Sequence, residues 1–164
     1  MKKWTVILLM ICLLTGCGGG QELETVLDVY APQEETPMQV TLTLPVDTAV
    51  QTLSSSEGQL YLCDGYTVTV QTLPGGDLAR TVADTTGYAI DRLTLIETEK
   101  DSITCYRLSW ATAGEGGDQA ARTLILDDGR FHYAVTVMAS ADKAGELADT
   151  WQTILGSVGL NTAP

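Results

Sequence analysis

The sequence has few of the side chains that metal binding and nucleophilic catalysis require. It contains one histidine, His132, and four cysteines in 164 residues. No serine or cysteine lies at a sequence spacing from His132 that would indicate a catalytic site. A catalytic triad or a zinc site also needs more partner residues than this chain offers. A two-residue turn at Asp128-Gly129 would place His132 in mid-strand, opposite Ile125. We therefore interpret His132 as a structural residue and expect no metal or cofactor.

Basic residues are also scarce. The chain has 9 Lys and Arg against 21 Asp and Glu, a net charge of −12. Loss of an N-terminal leader containing Lys2 and Lys3 would leave seven basic residues against 21 acidic ones, a net charge of −14. Nucleic acid and anionic membrane surfaces repel such a domain. Nucleic acid is therefore not expected as a partner.

The glycine runs lack the residues that hold phosphate or calcium. Gly75-Gly76 and Gly116-Gly117 are not followed by the Lys-Ser/Thr ending of a phosphate-binding loop. Asp127-Asp128-Gly129 lacks the alternating acidic ligands and later Glu of a calcium loop. These stretches are interpreted as loops and a hairpin turn.

The chain begins with a short basic and apolar leader. Lys2 and Lys3 precede an uncharged run from Val6 to Leu14, which is shorter than the roughly 20 residues of a transmembrane helix. The run ends in Leu14-Thr15-Gly16-Cys17, which resembles the lipobox of bacterial lipoproteins. An ordinary signal peptide with a chance cysteine is the alternative.

The lipobox resemblance implies that residues 1–16 are a signal peptide and that Cys17 carries a diacylglyceryl group. Two acyl chains such as palmitate anchor a protein where one chain binds only marginally. The expected location is the outer face of the bacterial cytoplasmic membrane, or the outer membrane in a cell that has two.

Two further segments follow the leader. Residues 17–37 are expected to form an acidic tether containing Gly and Pro, and residues 38–164 a single globular domain. Within the tether, the apolar residues Leu23, Val26, Leu27 and Tyr30 recur at helical spacing, so an ordered element there stays open.

Cys63 and Cys105 are the two cysteines left in the folded part, and they form a candidate disulfide. Export favours such a bond, and closing about 40 residues would contribute roughly 4 kcal/mol in the loop-entropy model. The alternative is two thiols that serve as small apolar side chains.

The folded part alternates strands and turns, with two helices. Alternating or β-rich runs predict strands at 38–44, 50–54, 59–63, 66–73, 93–98, 102–112, 120–127 and 130–139. For residues 50–54 a helical turn is the alternative, because Val46, Ala49, Val50 and Leu53 also fit helical spacing. Asp64-Gly65, Lys100-Asp101 and Asp128-Gly129 are the predicted hairpin turns. Asp77 should cap a short middle helix that ends at Gly87.

A C-terminal amphipathic helix closes the chain. Its apolar face consists of Ala144, Leu147, Ala148, Trp151, Ile154, Leu155 and Val158, with Trp151 as the expected anchor and Ser140 or Asp142 as the expected cap. Helices on an antiparallel sheet of hairpins give an α+β fold. This order resembles the PsbP-like α/β/α sandwich from Met38 to Leu160, and the resemblance implies a binding or assembly factor.

Three functions follow from these features. The first is a non-enzymatic, membrane-tethered domain that binds or assists an envelope protein partner. The second is a small-ligand-binding lipoprotein accessory to a transporter, which would use a concave pocket of Tyr61, Tyr66, Tyr106 or Trp110. The third is an envelope hydrolase, which would require several polar side chains, His132 among them, to converge in a cleft. The arginines Arg80, Arg92, Arg107, Arg122 and Arg130 would form an anion or partner site if one face gathered several of them.

Overall fold

The computed structural model describes residues 36–45, 50–54, 58–113 and 116–161. The leader, Cys17 and most of the predicted tether lie outside the described residues. From Pro37 onward the described residues belong to one compact unit. None of the described helices has both the length and the apolar composition needed to cross a bilayer.

Nine strands and two α-helices make up the described part. They are β1 (Gln39–Thr41), β2 (Val50–Ser54), β3 (Gly58–Cys63), β4 (Tyr66–Pro74), α1 (Leu78–Thr86), a 3-10 turn (Ile90–Arg92), β5 (Leu95–Lys100), β6 (Ile103–Thr112), β7 (Gln119–Asp127), β8 (Phe131–Ser140), α2 (Ala148–Ser157) and β9 (Gly159–Asn161).

Seven of the strands form one antiparallel sheet in the order β2-β3-β4-β8-β7-β6-β5. The hairpins β3–β4, β7–β8 and β5–β6 are joined by the pairing of β4 with β8 and of β7 with β6. The predicted α+β fold, with helices on an antiparallel sheet of hairpins, is confirmed.

The first hairpin has the predicted register, with Tyr61 opposite Val68 and Cys63 opposite Tyr66. Its turn differs in one respect. Of Asp64 and Gly65 only the glycine has positive φ, at 80°. The turn therefore needs left-handed backbone at its second central residue alone, rather than at both.

The other two hairpin turns lie one residue later along the chain than predicted. Residues 101 and 102 form the β5–β6 turn, with φ of 53° and 64°. At the β7–β8 turn, Asp127 faces His132 and Ile125 faces Ala134, so the prediction of Ile125 opposite His132 is wrong. Each partner shifts by two residues, so every side chain keeps its predicted face, whereas a shift of one would have reversed them.

Helix α1 begins and ends as predicted. The Asp77 Oδ1 accepts a hydrogen bond from the Arg80 backbone N at 2.9 Å, and Gly87 ends the helix with φ of 77°. Helix α2 begins at Ala148, several residues after the predicted caps Ser140 and Asp142, and no side chain caps it.

The residues before α2 form consecutive turns instead of a helix. The Lys143 N donates to the Ser140 O at 3.0 Å and the Glu146 N to the Lys143 O at 3.1 Å. Gly145 lies within this stretch, and glycine lowers helix propensity by about 1 kcal/mol relative to alanine.

The two helices cover opposite faces of the sheet, which we call the α1 face and the α2 face. The larger core lies on the α2 face, where Trp151, at 2% exposure, is the predicted anchor. Strands β1 and β9 pair as a separate ribbon, and Val40, Leu42, Leu44 and Leu160 pack against this same core. The smaller core on the α1 face contains Val82, Leu108, Ile125 and Ala134.

Cys63 and Cys105 are free thiols, the first half-buried and the second buried. Strands β4, β8 and β7 lie between their strands. Four strand spacings amount to about 19 Å, whereas the Cα atoms of a disulfide lie within about 7 Å. The candidate disulfide is therefore incompatible with this sheet order. Burial raises the pKa of both thiols above the usual value.

Candidate functional site

A groove opens on the α2 face between helix α2 and the last two strands of the sheet. Helix α2 packs on β7, and Ile96, Arg107 and Ser109 on the neighbouring strands β5 and β6 remain exposed. The groove measures about 520 Å³. We call it the arginine groove, and its lining includes Thr94, Ile96, Arg107, Ser109, Arg122, Leu124, Gln152 and Leu155.

Strand register brings the two arginines of the groove together. Arg107 on β6 lies opposite Leu124 on β7, and Arg122 lies two residues before Leu124. Arg107 and Arg122 are therefore diagonal neighbours on one face, a relation in which long side chains are within reach of each other.

Arg122 is held in place by helix α2. Its Nη1 donates to the Ala148 carbonyl oxygen at 3.4 Å, and its Cζ lies 5.9 Å from the centre of the Trp151 ring. A guanidinium at that distance from an indole ring is attracted to the ring face. The half-buried Arg122 thus has a fixed position on the floor of the groove.

Arg107 is exposed and has no comparable support. The ion pairs within the described part of the chain are Arg80–Asp84 and His132–Asp127, so neither groove arginine is paired with a described carboxylate. Two cations side by side in a domain with an excess of acid create a local region of positive potential. This region favours an anionic ligand.

The groove also exposes apolar surface. Ile96 on β5 lies opposite Arg107 and is 58% exposed, and Leu124 and Leu155 form buried walls beside it. The groove therefore combines positive charge with apolar contact area. Small-molecule and peptide sites commonly pair an apolar lining with a few polar groups.

A second groove, of about 610 Å³, lies between α1 and the end of β4. Its charged residues include Arg80 and Asp84, which already pair with each other at 3.6 Å. The charges of this groove therefore offer less to a ligand than the unpaired arginines on the opposite face.

Thr81, His132 and Asp127 form a polar chain beneath helix α1, in which Thr81 and His132 are buried and hydrogen-bonded and Asp127 is half-buried. The Thr81 Oγ1 lies 2.6 Å from the His132 Nδ1, and the Asp127 Oδ2 lies 3.5 Å from the His132 Nε2. His132 is 1% exposed and Thr81 3% exposed. The chain joins α1 to strands β7 and β8.

A second polar cluster fixes the start of β1 on the sheet. The Tyr133 hydroxyl donates to the Asp128 Oδ2 at 2.8 Å and accepts from the Met38 backbone N at 2.8 Å. Burial, together with the bond to Asp128, raises the pKa of Tyr133 to about 12.

Arg107 and Arg122 are both among the five arginines singled out in the sequence, but the sequence alone did not show that they lie together. Of these five arginines, the structure joins Arg107 and Arg122, and it separates Arg80, Arg92 and Arg130 from them. A signal was present in the sequence. Arg122 lies two residues from Leu124 and Arg107 two residues from Cys105, so each arginine shares the face of that apolar residue in its predicted strand. Both side chains therefore belong to the α2 face.

The four aromatic residues proposed for a ligand pocket pack elsewhere. Tyr66 is buried in the larger core and Tyr61 packs against it, whereas Tyr106 and Trp110 pack against the smaller core. None of the four lines either groove described above.

No protein-family model matches the chain, and no curated protein sequence matches it. Solved structures do match. A crystal structure from Bacteroides thetaiotaomicron VPI-5482 aligns with 75% of this chain at a TM-score of 0.52 and 11% identity. The alignment covers 45% of that protein, so this chain spans less than half of its length.

Two further matches have more complete coverage. Cyanobacterial PsbP from Synechocystis sp. PCC 6803 aligns with 79% of this chain and 96% of its own, at 10% identity and a TM-score of 0.47. LpqN, a protein involved in cell envelope biogenesis of Mycobacterium tuberculosis, aligns with 79% of this chain and 88% of its own, at 16% identity and a TM-score of 0.46. What these proteins share with this chain is the fold alone.

Proposed function

We propose that this chain is an extracytoplasmic lipoprotein, anchored through acylated Cys17, whose domain binds an envelope protein partner without catalysing a reaction. The observation that carries the binding role is the arginine groove, where Arg107 and Arg122 lie unpaired with any described carboxylate beside the exposed Ile96. Cations and apolar area at an open site suit recognition of another molecule.

The lipobox and the acidic spacer support the anchored location. Without the leader the chain has a net charge of −14, which repels an anionic membrane surface, so acyl chains on Cys17 would supply the membrane contact. As a random coil, a spacer of about 20 residues would have a root-mean-square length of roughly 25 Å. That length would let the domain meet a partner above the bilayer.

The test is a mild-detergent pull-down of the tagged full-length protein from its own membranes, with mass spectrometry of the bait. Cys17→Ser is the anchoring control. The groove variant carries Arg107→Gln, because Arg107 is exposed, and its charge-matched control carries Arg92→Gln at another exposed arginine. We expect a lipid-sized mass on Cys17, and one stoichiometric partner that the groove variant loses and the matched control keeps.

Other results would contradict separate parts of the proposal. Bait that lacks the lipid mass would refute the anchor. Lipidated bait without a partner would refute partner binding and favour a small ligand. A partner retained equally by the groove variant would refute the groove as the binding site.

The Thr81–His132–Asp127 chain favours a second candidate, an envelope hydrolase. The Thr81 hydroxyl would act as nucleophile and the His132 Nδ1 as its general base. The 3% exposure of Thr81 argues against it, since a substrate carbonyl must reach the hydroxyl. Turnover of activated esters by the full-length protein, abolished in Thr81→Val, would support the hydrolase; equal turnover in that variant would exclude this mechanism.

A further inference from the structure

We propose that the arginine groove recognises its protein partner as an extended segment with acidic and apolar residues on the side that faces the groove, which adds to the outer edge of β5 as an eighth strand. This inference rests on the proposed function and specifies the chemistry of the partner at that same groove.

Strand β5 forms one end of the sheet and pairs, among the described strands, with β6 alone. The outer backbone groups of an edge strand are a template for another strand, and many proteins bind extended peptides in this way. The arginine groove lies along this edge, because Ile96 of β5 is one of its lining residues.

The two faces of β5 differ in charge, which sets the pattern of the incoming strand. On the α2 face, Ile96 lies opposite Arg107. On the α1 face, Glu97 and Glu99 are exposed. Because side chains of a strand alternate between faces, a complementary segment has apolar and acidic residues facing the groove, and basic or neutral residues facing the two glutamates.

The arginines are within reach of such a segment. A residue opposite Ile96 on an added strand would be two strand spacings from Arg107, about 9.5 Å between Cα atoms. A glutamate and an arginine can together bridge that gap over Ile96. Arg122, fixed against Trp151, adds positive potential behind Arg107.

The competing occupants fit less well. An anionic lipid surface would also meet the strongly acidic remainder of the domain, which it repels. Pairing with β5 of a second copy would bring glutamates from both chains together on the α1 face, and like charges opposite each other destabilise a strand pair. A segment from a partner of alternating charge avoids both conflicts.

The experiment uses the full-length protein in detergent and a fluorescein-labelled peptide, Thr-Glu-Lys-Val-Lys-Glu-Thr, whose Glu and Val residues share one face. A second peptide replaces both glutamates by glutamine. Fluorescence anisotropy gives the dissociation constants. We expect at least about tenfold weaker binding of the glutamine peptide, the effect of one lost charge pair of about 1.4 kcal/mol. Binding should also weaken as salt rises from about 0.15 M to about 1 M.

Variants of Arg107 separate the groove from general charge. Arg107→Gln should weaken binding of the glutamate peptide about tenfold, whereas Arg92→Gln, which removes an exposed cation elsewhere, should not. Arg107→Glu should restore binding to a peptide with lysines in place of the glutamates. Such charge reversal would not follow from a merely structural role of Arg107.

Several results would overturn the inference. These are equal affinity for the glutamate and glutamine peptides, equal effects of the Arg107→Gln and Arg92→Gln substitutions, and no peptide binding. Competition by free glutamate or inorganic phosphate at the peptide's own affinity would also overturn it, because it would mark a small-anion site. If the pull-down still yields a partner that the groove variant loses, the proposed function stands and only the extended-segment mode fails.

Discussion

Removal of the Asp128 carboxylate should break hydrogen bonds that hold the β7–β8 turn and that help to attach the start of β1 to the sheet. The Asp128 Oδ1 accepts hydrogen bonds from the backbone N of Arg130 at 2.8 Å and of Phe131 at 2.7 Å. The Oδ2 accepts from the Tyr133 hydroxyl at 2.8 Å, and that hydroxyl receives the Met38 N. One side chain therefore joins a turn to a segment some 90 residues away in the chain.

The magnitude follows from these three hydrogen bonds. Bonds to charged groups contribute about 1.5–3 kcal/mol each when well shielded. Asp128 is only half-buried, and the bonds share one carboxylate, so their contributions do not add in full. We expect Asp128→Ala to lower the free energy of unfolding by about 2–4 kcal/mol.

Urea unfolding, followed by tryptophan fluorescence, measures this loss. Asp84→Ala removes an exposed carboxylate and is the control, expected to change stability by less than about 0.5 kcal/mol. Combining Asp128→Ala with Tyr133→Phe should cost less than the sum of the single losses, since the two residues share a bond. Strict additivity, or an Asp128→Ala protein as stable as the wild type, would refute the reasoning.

The same carboxylate predicts an acid dependence. Burial alone would raise the pKa of Asp128, but the hydrogen bonds from Phe131, Arg130 and Tyr133 lower it below the usual 3.8. A carboxyl whose pKa is lowered by folding stabilises the protein fully above its unfolded pKa and loses that contribution as pH falls through the folded value. As the pH falls below 3.8, the free energy of unfolding of the wild type should therefore decrease more steeply than that of Asp128→Asn. Parallel curves would contradict this assignment.

Three further substitutions test the packing on both faces. Thr81→Val should destabilise the protein by about 1–3 kcal/mol, because the buried His132 loses its hydrogen-bond partner at 2.6 Å. Thermal unfolding measures the loss, and an unchanged melting temperature would contradict this role of Thr81. Gly75→Ala should cost about 1–3 kcal/mol in a urea titration, because its Cβ would lie 2.6 Å from backbone atoms of Arg130, which cannot move as a side chain can; unchanged stability would show that the turn can shift. Gly156→Ala, in helix α2 with open space at the Cβ position, should instead stabilise the protein by about 0.5–1 kcal/mol in the same titration, and a loss of stability would contradict the helical assignment.

Alternation and capping explain why so much of the fold could be predicted from the sequence. In β4, Val68 and Val70 alternate with the less buried Thr67 and Thr69, so their common face followed from the sequence alone. Asp77 and Gly87 are local signals, and both act where predicted. These features depend on neighbours along the chain, which the sequence displays directly.

The features that could not be predicted depend on competition between local hydrogen bonds, or on partners that are distant in the sequence. The β7–β8 register followed from the Asp128 side chain taking the amides of residues 130 and 131, a choice that the Asp-Gly pattern does not reveal. Strand β9 has three residues and exists through its pairing with β1, which is distant in the sequence. The meeting of Thr81 with His132, separated by 51 positions, likewise required the packing of α1 on the sheet.

The two groove arginines differ in how much the fold depends on them. This difference makes it possible to test a role in binding separately from a role in stability. Arg122 covers the Trp151 ring and bonds to Ala148, so its replacement would disturb packing as well as charge. Arg107 is exposed and has no ion-pair partner among the described residues, so stability gives no reason for its charge to be at that position. If Arg107→Gln leaves the urea midpoint unchanged while abolishing partner capture, the groove charge serves recognition. If it changes neither, the positive potential of the groove has no role in binding, and the Arg122–Trp151 contact is simply part of the packing of α2 on the sheet.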